Sequence, residues 1–367
     1  MVNPADWSNM NKIKVLQQVL DPSGAGGVSA EYRALLHSNL IDKYDFSPMI
    51  LTDFRPGLNW HDIRFYYDNI KESDADIIHI RGAAVDGLNA VIAAKMAGSG
   101  KILVTVHGMY SDLVYINFVK KWVSKNIVER FIFMLADGIS CVCQKAEERT
   151  YFDRYRKKMV PFVYNRMPHF DKEKRTEYRN EVRQAYHIPE SAVVGVFVGR
   201  MTKEKGLEVL LHAFAALEPV WPDNLVFLFV GDGDYRRVAE AACAPYGNRV
   251  IFVGNQSDVE RFYDASDFFI QPSLHENHSI ALLEACAAGL PSIASDCGGN
   301  TEIVDEQTGV IVQTGDDTAL EEAILTMCED ERRRQFANAV ERKDYEKFSD
   351  VSVDRALDHV YQIMMEK

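Results

Sequence analysis

The amino-acid sequence predicts an α/β protein with two domains, each built on a parallel sheet that helices cover on both faces. Short apolar runs recur along the chain, and stretches with helical periodicity separate most of them. Near Asn165 this pattern ends, and it starts again after a charged connector. A chain of 367 residues is also too long for one ordinary hydrophobic core. These observations together predict two domains of the same architecture.

The first series of apolar runs begins with residues 13–20, which we interpret as a strand. A glycine-rich turn follows and leads into a helix from about Ser29. Gly24, Gly26 and Gly27 allow the backbone to approach a ligand closely at the start of that helix. The turn is not a GxGxxG fingerprint and no acidic residue ends a second strand, so NAD is not expected. The other strands predicted in this series are residues 48–52, 76–80, 102–106, 138–142 and 160–164.

His107 and Gly108 directly follow the strand predicted at residues 102–106. Ligands of parallel sheets gather at the carboxyl ends of the strands, so His107 is a candidate site residue. A lone histidine is often structural, and the residues alone leave that alternative open.

Residues 118–133 (FVKKWVSKNIVERFIF) combine basic and aromatic side chains. This composition is typical of a helix that lies on an anionic membrane surface. The alternative is an ordinary surface helix whose aromatic face packs against its own protein. More positive charge follows in residues 154–158.

A charged connector at residues 171–190 precedes the second series. No tandem sequence repeat relates the two series, which share only their architecture, and a cleft between two such domains is a natural ligand site. The strands predicted in the second series are residues 193–199, 225–231, 250–254, 267–271, 290–294 and 309–312.

The first strand of the second series ends in Gly199-Arg200-Met-Thr-Lys-Glu-Lys205-Gly206. The guanidinium of Arg200 can hold phosphate oxygens as a fork, and Lys205 adds a point charge one turn later. At the end of a parallel strand, with glycine on both sides, this pair favours diphosphate binding.

Glu276 and Glu284 lie in the stretch LHENHSIALLEACAAG, residues 274–289. Glu284 interrupts an apolar segment that we expect to form a buried helix, where an unpartnered carboxylate costs several kcal/mol. No basic residue lies within a helical turn of it, so its partner is distant in the chain or is a ligand hydroxyl. Ser279 is a plausible N-cap, and a helix starting there would turn its free N–H groups toward Glu276, as in phosphate sites. The alternative places Glu284 on an exposed strip and Glu276 in a solvated loop.

Gly231-Asp232-Gly233-Asp234 contains a DxD triplet, which holds divalent metals in some sugar-transfer enzymes. The same residues are typical of a tight turn that caps the next helix, from Tyr235 onward. We prefer the turn and predict no metal.

The composition, 47% hydrophobic and 26% charged, is that of a globular protein. No apolar run reaches the roughly 18 residues of a membrane span, and the N-terminus lacks the apolar core of a signal peptide. We therefore expect a cytoplasmic protein. Residues 118–133 would allow it to contact the inner membrane face peripherally. The six cysteines form no CxxC pair and are expected to be buried free thiols.

The net charge of −13 argues against nucleic-acid binding. Residues 1–165 carry 20 Lys and Arg against 18 Asp and Glu, a net charge of +2, whereas residues 166–367 carry 21 against 36, a net charge of −15. The first half is therefore the better candidate to meet an anionic surface.

In order and spacing, several motifs of the second half resemble the retaining glycosyltransferases of family four, which have the GT-B fold. The first half matches more loosely, through GGVSAEYRAL, ADIIHIRG and VTVHG. The resemblance implies two Rossmann-like domains that face a cleft, at residues 1–168 on the acceptor side and 169–344 on the nucleotide-sugar side. Residues 345–367 would form a helix that crosses back to the first domain. The motifs of the second half are GRMTKEKG, FVGDGD, VGNQSDVERFYDASDFFIQPS, HENHSIALLEACAAGLPSIASDCGGNTEIV and TGVIV.

The resemblance also implies roles for the candidate residues. Arg200 and Lys205 would neutralise the diphosphate leaving group without a metal, Glu276 would bind the donor sugar, and Glu284 would bind the ribose hydroxyls. His107 would lie beside the sugar ring. The backbone groups that would support the donor belong to Gly26, Gly27, Asn277, His278 and Ser279. Residues 277–280 depart from the family's usual glycine-rich run, which affects how the sugar hydroxyls are recognised.

The implied reaction is retaining, metal-independent hexosyl transfer from a UDP- or GDP-linked sugar to a glycan or lipid-linked acceptor. Capsule, lipopolysaccharide or exopolysaccharide assembly is the expected setting. Two alternatives use the same architecture: a phosphorylase or sugar-nucleotide epimerase, and a noncatalytic sugar-nucleotide-binding subunit.

Overall fold

A computed structural model describes residues 12–19, 27–53 and 55–367. The chain divides into two compact units. The first is Met1–Arg166 together with Glu346–Lys367, and the second is Met167–Tyr345. Each unit contains one parallel β-sheet with α-helices, which confirms the predicted fold class.

The sheet of the first unit has five parallel strands in the order β2-β1-β3-β4-β5. The order reverses between β1 and β3, which pair directly with each other. Every residue of β3 is buried, as expected for a parallel strand covered on both faces. The strands are β1 (Ile13–Val19), β2 (Tyr44–Ile50), β3 (Ile77–Arg81), β4 (Lys101–Val106) and β5 (Gly138–Cys141).

Two strand predictions in this unit were inaccurate. Residues 160–164 form no strand, and Met159 makes only an isolated bridge to Ile139. Pro161 lacks the N–H that a sheet ladder requires, which explains why this apolar run does not extend the sheet. The second strand begins at Tyr44, before the predicted start at residue 48. Pro48 therefore lies inside the strand, which is possible because β2 is at the edge of the sheet.

The described residues before the second unit form six α-helices, and a π-helical turn joins two of them. The turn, Ser124–Val128, makes the helix continuous from Phe118 to Leu135. The helices are α1 (Gly27–Leu36), α2 (Trp60–Ser73), α3 (Val85–Ala97), α4 (Phe118–Val123), α5 (Glu129–Leu135) and α6 (Gln144–Glu147).

The sheet of the second unit has six parallel strands in the order β11-β10-β9-β6-β7-β8, and the order reverses between β6 and β9. All residues of β6 and β7 are buried. The strands are β6 (Val193–Val198), β7 (Leu225–Val230), β8 (Val250–Gly254), β9 (Phe268–Gln271), β10 (Ser292–Ser295) and β11 (Gly309–Val312). The helices are α7 (Arg175–Ala185), α8 (Leu207–Leu217), α9 (Arg236–Cys243), α10 (Glu260–Asp264), α11 (Ile280–Ala287), α12 (Asn300–Ile303), α13 (Asp317–Cys328) and α14 (Asp330–Arg342).

The last helix, α15 (Asp350–Glu366), belongs to the first unit. Its buried Tyr361 accepts a hydrogen bond from Gln17 of β1 (2.8 Å) and lies 3.0 Å from the His79 ring of β3. The side chain of Asp358 accepts a hydrogen bond from Tyr44 of β2 (2.7 Å). These polar contacts fix the helix to three strands of the first sheet.

All six cysteines are free thiols. Four of them are buried, whereas Cys297 and Cys328 are only partly buried. Within the described ranges, every helix is too short or too polar to cross a lipid bilayer.

Candidate functional site

The loops after β6 and β9 meet at the carboxyl edge of the second sheet, where the strand order reverses. This position is the usual ligand site of an open parallel sheet. The Leu274 amide donates to the Glu204 carbonyl (2.8 Å) and ties the two loops together. Gly206 has a φ of +73°, and a Cβ there would overlap the Pro272 carbonyl. Only glycine therefore allows the two backbones to approach this closely.

Lys205 and Glu276 form an ion pair at this edge of the sheet. The Lys205 ammonium lies 2.5 Å from Glu276 Oε1. Gln271 Nε2 and the Ser273 hydroxyl donate to the same oxygen, each at 2.9 Å. Three donors on one carboxylate oxygen hold the Glu276 side chain in one orientation.

The loop after β10 supports the backbone of Glu276. Gly298 has a φ of +52°, and a Cβ there would overlap the Glu276 carbonyl oxygen. The Gly299 amide donates to the Asn277 carbonyl (2.7 Å). The segment after β9 is thus held from both sides, by the Gly206 loop and the Gly298 loop.

Arg200 lies two residues after the end of β6 and is exposed. Among the described residues, no carboxylate forms an ion pair with its guanidinium. Lys205, by contrast, is already paired with Glu276. Of the two predicted phosphate-binding cations, Arg200 is therefore the one available to a ligand in the free protein.

Ser279 caps α11, as predicted, because its side chain accepts a hydrogen bond from the Leu282 amide (3.2 Å). Asn277, His278 and Ser279 are all buried. The segment that joins Glu276 to α11 is thus a fixed part of the unit, not a solvated loop.

Glu284 lies on α11 and is partly buried. Its Oε2 accepts a hydrogen bond from Tyr263 at the end of α10 (2.9 Å). Burial raises the pKa of Glu284 to about 7, and the Tyr263 hydrogen bond opposes this shift. The partner is therefore distant in the chain, which is one of the two alternatives that the sequence left open.

The remaining predicted residues belong to the first unit. His107 directly follows β4, and burial, together with the charge of Arg81, lowers its pKa to about 3. The imidazole is therefore neutral at physiological pH. Gly27 is the first residue of α1, and Gly26 lies outside the described residues. Within the second unit, no described hydrogen bond or ion pair joins Arg200 or Glu284 to the Lys205–Glu276 pair.

The DxD triplet forms a turn, but its predicted capping role is wrong. Helix α9 begins at Arg236 with Tyr235 at the N-cap and no side-chain capping bond. Asp232 instead accepts hydrogen bonds from the Gly233 amide (2.7 Å) and Arg236 (3.1 Å). The ion pair with Arg236 therefore replaces the predicted cap. Nowhere in the described ranges do three His, Cys, Asp or Glu side chains come together as a metal site would require.

Sequence reasoning missed three residues that hold the predicted acids. Gln271 is the last residue of β9 and Ser273 lies between β9 and Glu276, and their polar side chains within an apolar run were the available signal. Tyr263 gave no comparable signal, because only the fold brings its hydroxyl to Glu284.

Two family models match this chain. The model of glycosyl transferases group 1 matches residues 178–343, which lie in the second unit. The model of Glycosyltransferase Family 4 matches residues 29–165, which lie in the first unit.

Curated relatives point to the same family. The N-acetyl-alpha-D-glucosaminyl L-malate synthase of Bacillus anthracis is 26% identical over 79% of this chain and 75% of its own length. The UDP-Gal:alpha-D-GlcNAc-diphosphoundecaprenol alpha-1,3-galactosyltransferase of Escherichia coli is 26% identical, over 72% and 69%. The lipopolysaccharide core biosynthesis mannosyltransferase LpsB of Rhizobium meliloti is 31% identical, but the match spans only 47% of this chain and 50% of LpsB.

Solved structures show the fold. Sucrose-phosphate synthase from Thermosynechococcus elongatus has a TM-score of 0.78 at 19% identity, over 97% of this chain and 100% of that chain. Anabaena HepE in complex with UDP and glucose has a TM-score of 0.76 at 17% identity, over 95% and 99%. With its two family matches and its two parallel-sheet units, the chain belongs to glycosyltransferase family four, has the GT-B fold and is a glycosyltransferase.

Proposed function

We propose that this enzyme transfers a sugar from a nucleoside-diphospho-sugar to a hydroxyl group of a glycan or lipid-linked acceptor. The reaction proceeds with retention of anomeric configuration and without a metal ion. The observation that carries the proposal is the Lys205–Glu276 pair at the strand-order reversal of the second sheet, with Arg200 exposed beside it in sequence. A cation and an acid fixed at this edge suit a ligand that joins a phosphate to a hydroxyl-rich sugar.

Each charged residue has a distinct role in this proposal. Arg200 and Lys205 bind the diphosphate, Glu276 accepts hydrogen bonds from the sugar hydroxyls, and Glu284 accepts from the ribose hydroxyls. The Glu284 role agrees with its position, because one oxygen accepts from Tyr263 and a carboxylate has further acceptor capacity for a ligand. The roles of His107, Gly26 and Gly27 in the first unit rest on the family resemblance.

The bond that breaks joins the anomeric carbon to a phosphate oxygen. Arg200 and Lys205 stabilise the negative charge that develops on the leaving phosphate, and preorganised charges of this kind usually provide the largest part of catalysis. The acceptor hydroxyl attacks from the face that the phosphate leaves. The departing phosphate takes the hydroxyl proton, so no protein nucleophile is required.

The relatives support the donor and acceptor classes. HepE was solved with UDP and glucose, and the Escherichia coli relative is named for a UDP-Gal donor and a diphosphoundecaprenol-linked acceptor. LpsB is named for lipopolysaccharide core biosynthesis. We therefore place this enzyme in cell-surface polysaccharide assembly in the cytoplasm, with a UDP- or GDP-linked donor.

The helix from Phe118 to Leu135 supports peripheral contact with the inner membrane face. Phe118, Trp122 and Phe131 are 79%, 52% and 51% exposed. The exposed charged residues of this helix are all basic: Lys120, Lys121, Lys125 and Arg130. Its one acid, Glu129, is buried, where it accepts hydrogen bonds from Ser111 and Ser124. An exposed aromatic surface on which every charge is positive suits a layer of anionic lipid headgroups.

A screen of nucleotide-sugars by thermal shift tests the donor, because a ligand that binds only the folded state raises the melting temperature. The best donor is then incubated with candidate lipid-linked and glycan acceptors. We expect nucleoside diphosphate to be released only when an acceptor is present. Conversion of the donor without an acceptor would identify an epimerase, and donor binding without any turnover would identify a noncatalytic subunit.

A further inference from the structure

Arg81 occupies the strand-order reversal of the first sheet. It is the last residue of β3, the strand that pairs with β1 at the point where the order changes. Its backbone amide donates to Gln18 Oε1 on β1 (3.1 Å). In an open parallel sheet a ligand is expected at this edge, just as at the β6/β9 edge of the second sheet.

Arg81 is only 9% exposed. Its Nε donates to Gln17 Oε1 (3.0 Å), which is a neutral acceptor. Among the described residues, no carboxylate lies within ion-pair distance of its guanidinium. A buried guanidinium held by an amide alone retains a full positive charge and free donors for an anion.

The other buried arginines of the described chain are fully compensated. Arg166 bonds to Glu31 and Asp354 and approaches Asp350 within 3.4 Å. Arg183 pairs with Asp267 and also donates to four backbone carbonyls. Arg81 therefore differs from the pattern by which this protein neutralises its buried cations.

The surroundings of Arg81 do not cancel its charge. Glu31 is the acid near enough to influence it, but that carboxylate is already bound by the backbone amide (2.9 Å) and Nε (3.2 Å) of Arg166. The histidines nearby are uncharged, because burial and the charge of Arg81 lower the pKa of His79 and of His107. Among the described residues, the carboxyl edge of the first sheet therefore carries one buried cation that pairs with no carboxylate, beside neutral imidazoles.

We propose that Arg81 binds an oxyanion of the acceptor, a phosphate or a carboxylate, and so selects acceptors that carry such a group. The proposal rests on the proposed function, and on the family resemblance for the expectation that residues 1–168 serve the acceptor. The guanidinium presents two parallel N–H groups that match the two oxygens of either anion. Gln17 and Gln18 act as positioning residues that hold the arginine at the sheet edge.

The test uses the full chain with Arg200→Ala and Lys205→Ala as the parent protein, so that the proposed phosphate site of the second unit no longer binds anions. The melting temperature is measured against inorganic phosphate, and separately against succinate, at constant ionic strength. We expect one or both anions to raise the melting temperature of this parent, which also identifies the type of oxyanion. Absence of a rise with both anions overturns the proposal.

Three further substitutions in the parent separate anion binding from a structural role. Arg81→Gln removes the cation, and Gln17→Glu places a carboxylate against the Arg81 Nε without removing the arginine. Both should abolish the anion-dependent rise, because the first removes the cation and the second neutralises it. Arg64→Gln removes an exposed arginine of α2 and should keep the full rise. A rise that persists in Gln17→Glu shows that Arg81 does not bind the anion, even where Arg81→Gln fails to fold.

Donor binding provides an independent control. Arg81→Gln in the otherwise unmodified chain should keep its nucleotide-sugar affinity, with a KM for an anionic acceptor raised at least tenfold. If nucleotide-sugars bind neither the wild type nor Arg81→Gln while the anion still raises the melting temperature of the parent, the proposed donor is wrong and the Arg81 site stands. If donor binding persists but the acceptor KM is unchanged, the Arg81 proposal fails alone.

Discussion

The Lys205 ammonium is bound to Glu276 in the free protein, with 2.5 Å between Nζ and Oε1. The two residues were predicted to hold different parts of one donor, the diphosphate and the sugar. Because they form an ion pair, Glu276 already neutralises part of the positive charge of Lys205 before a ligand binds there. In the proposed function, the binding of the diphosphate by Lys205 and the orientation of the sugar by Glu276 are therefore linked through this ion pair.

The first prediction concerns Glu276→Gln. The substitution removes the negative charge beside Lys205, so a nucleoside diphosphate should bind as tightly or up to about fivefold more tightly, as expected for a partly exposed pair. Transfer should nevertheless fall about 100-fold, because the sugar loses an acceptor. Calorimetry with UDP and GDP and an initial-rate assay measure the two effects. Glu204→Gln, which changes a neighbouring carboxylate outside the pair, is the control, and weaker diphosphate binding in Glu276→Gln would contradict the linkage.

The second prediction concerns Gly206→Ala. The new Cβ would overlap the Pro272 carbonyl and force apart the loops that bring Lys205 to Glu276. We expect a loss of more than about 2 kcal/mol in the free energy of unfolding and loss of transfer activity. Gly98→Ala is the matched control, since its φ of +66° is similar but nothing lies within 4 Å of the new Cβ. It should cost about 1 kcal/mol and keep activity. Equal losses in both variants would mean that the close approach at Gly206 is unimportant.

The third prediction concerns stability against pH. Because the folded pKa of Glu284 is raised from 4.5 to about 7, its protonated form is favoured in the folded state. The resulting stabilisation is complete below about pH 4.5 and is lost as the pH rises through about 7. Relative to Glu284→Gln, the wild type should therefore lose up to about 3 kcal/mol of stability between these values. Urea unfolding of both proteins from pH 5 to 8 measures this difference. The other titrating groups contribute equally to the stability of both proteins, so their contributions cancel in the difference. A difference that does not vary with pH would show that Glu284 ionises normally.

The fourth prediction concerns the membrane. Replacing Lys120 and Lys121 by Ser should weaken binding to vesicles that contain phosphatidylglycerol about 30-fold, at roughly 1 kcal/mol for each charge. Trp122→Ser should weaken it as well, whereas Trp60→Ser, which alters a somewhat more exposed tryptophan on α2, should not. Co-sedimentation at low and physiological salt gives the affinities. If Trp60→Ser and Trp122→Ser behave alike, the helix is an ordinary surface helix.

The sequence predicted the second unit well for a physical reason. Its strands begin within two residues of their predicted starts, because parallel strands buried on both faces are continuous apolar runs with clear ends. The first unit was harder, since Pro48 sits inside an edge strand and Pro161 prevents a run of the same composition from joining the sheet. Local composition does not distinguish these two cases, because strand order decides them.

The sequence predicted local structural features near the candidate site, but it did not predict contacts between distant elements. The Ser279 cap followed from a hydroxyl immediately before an apolar segment. The Tyr263–Glu284 bond and the Lys205–Glu276 pair depend on contacts between elements, so no local signal identified them, whereas Gln271 and Ser273 lie close to Glu276 in the chain. The cap predicted within the DxD turn does not form, because Asp232 pairs with Arg236 instead.

The most direct test of the central claim is calorimetric titration of the full chain with UDP and GDP in the presence of EDTA. The claim is that Arg200 and Lys205 hold the diphosphate without a metal ion. It predicts unchanged affinity in EDTA for the wild type, and a loss of about tenfold or more in each of Arg200→Ala and Lys205→Ala. The melting temperature should be unchanged in Arg200→Ala and slightly lower in Lys205→Ala, which loses the pair with Glu276. Binding that disappears on chelation, or that survives both substitutions, would contradict it.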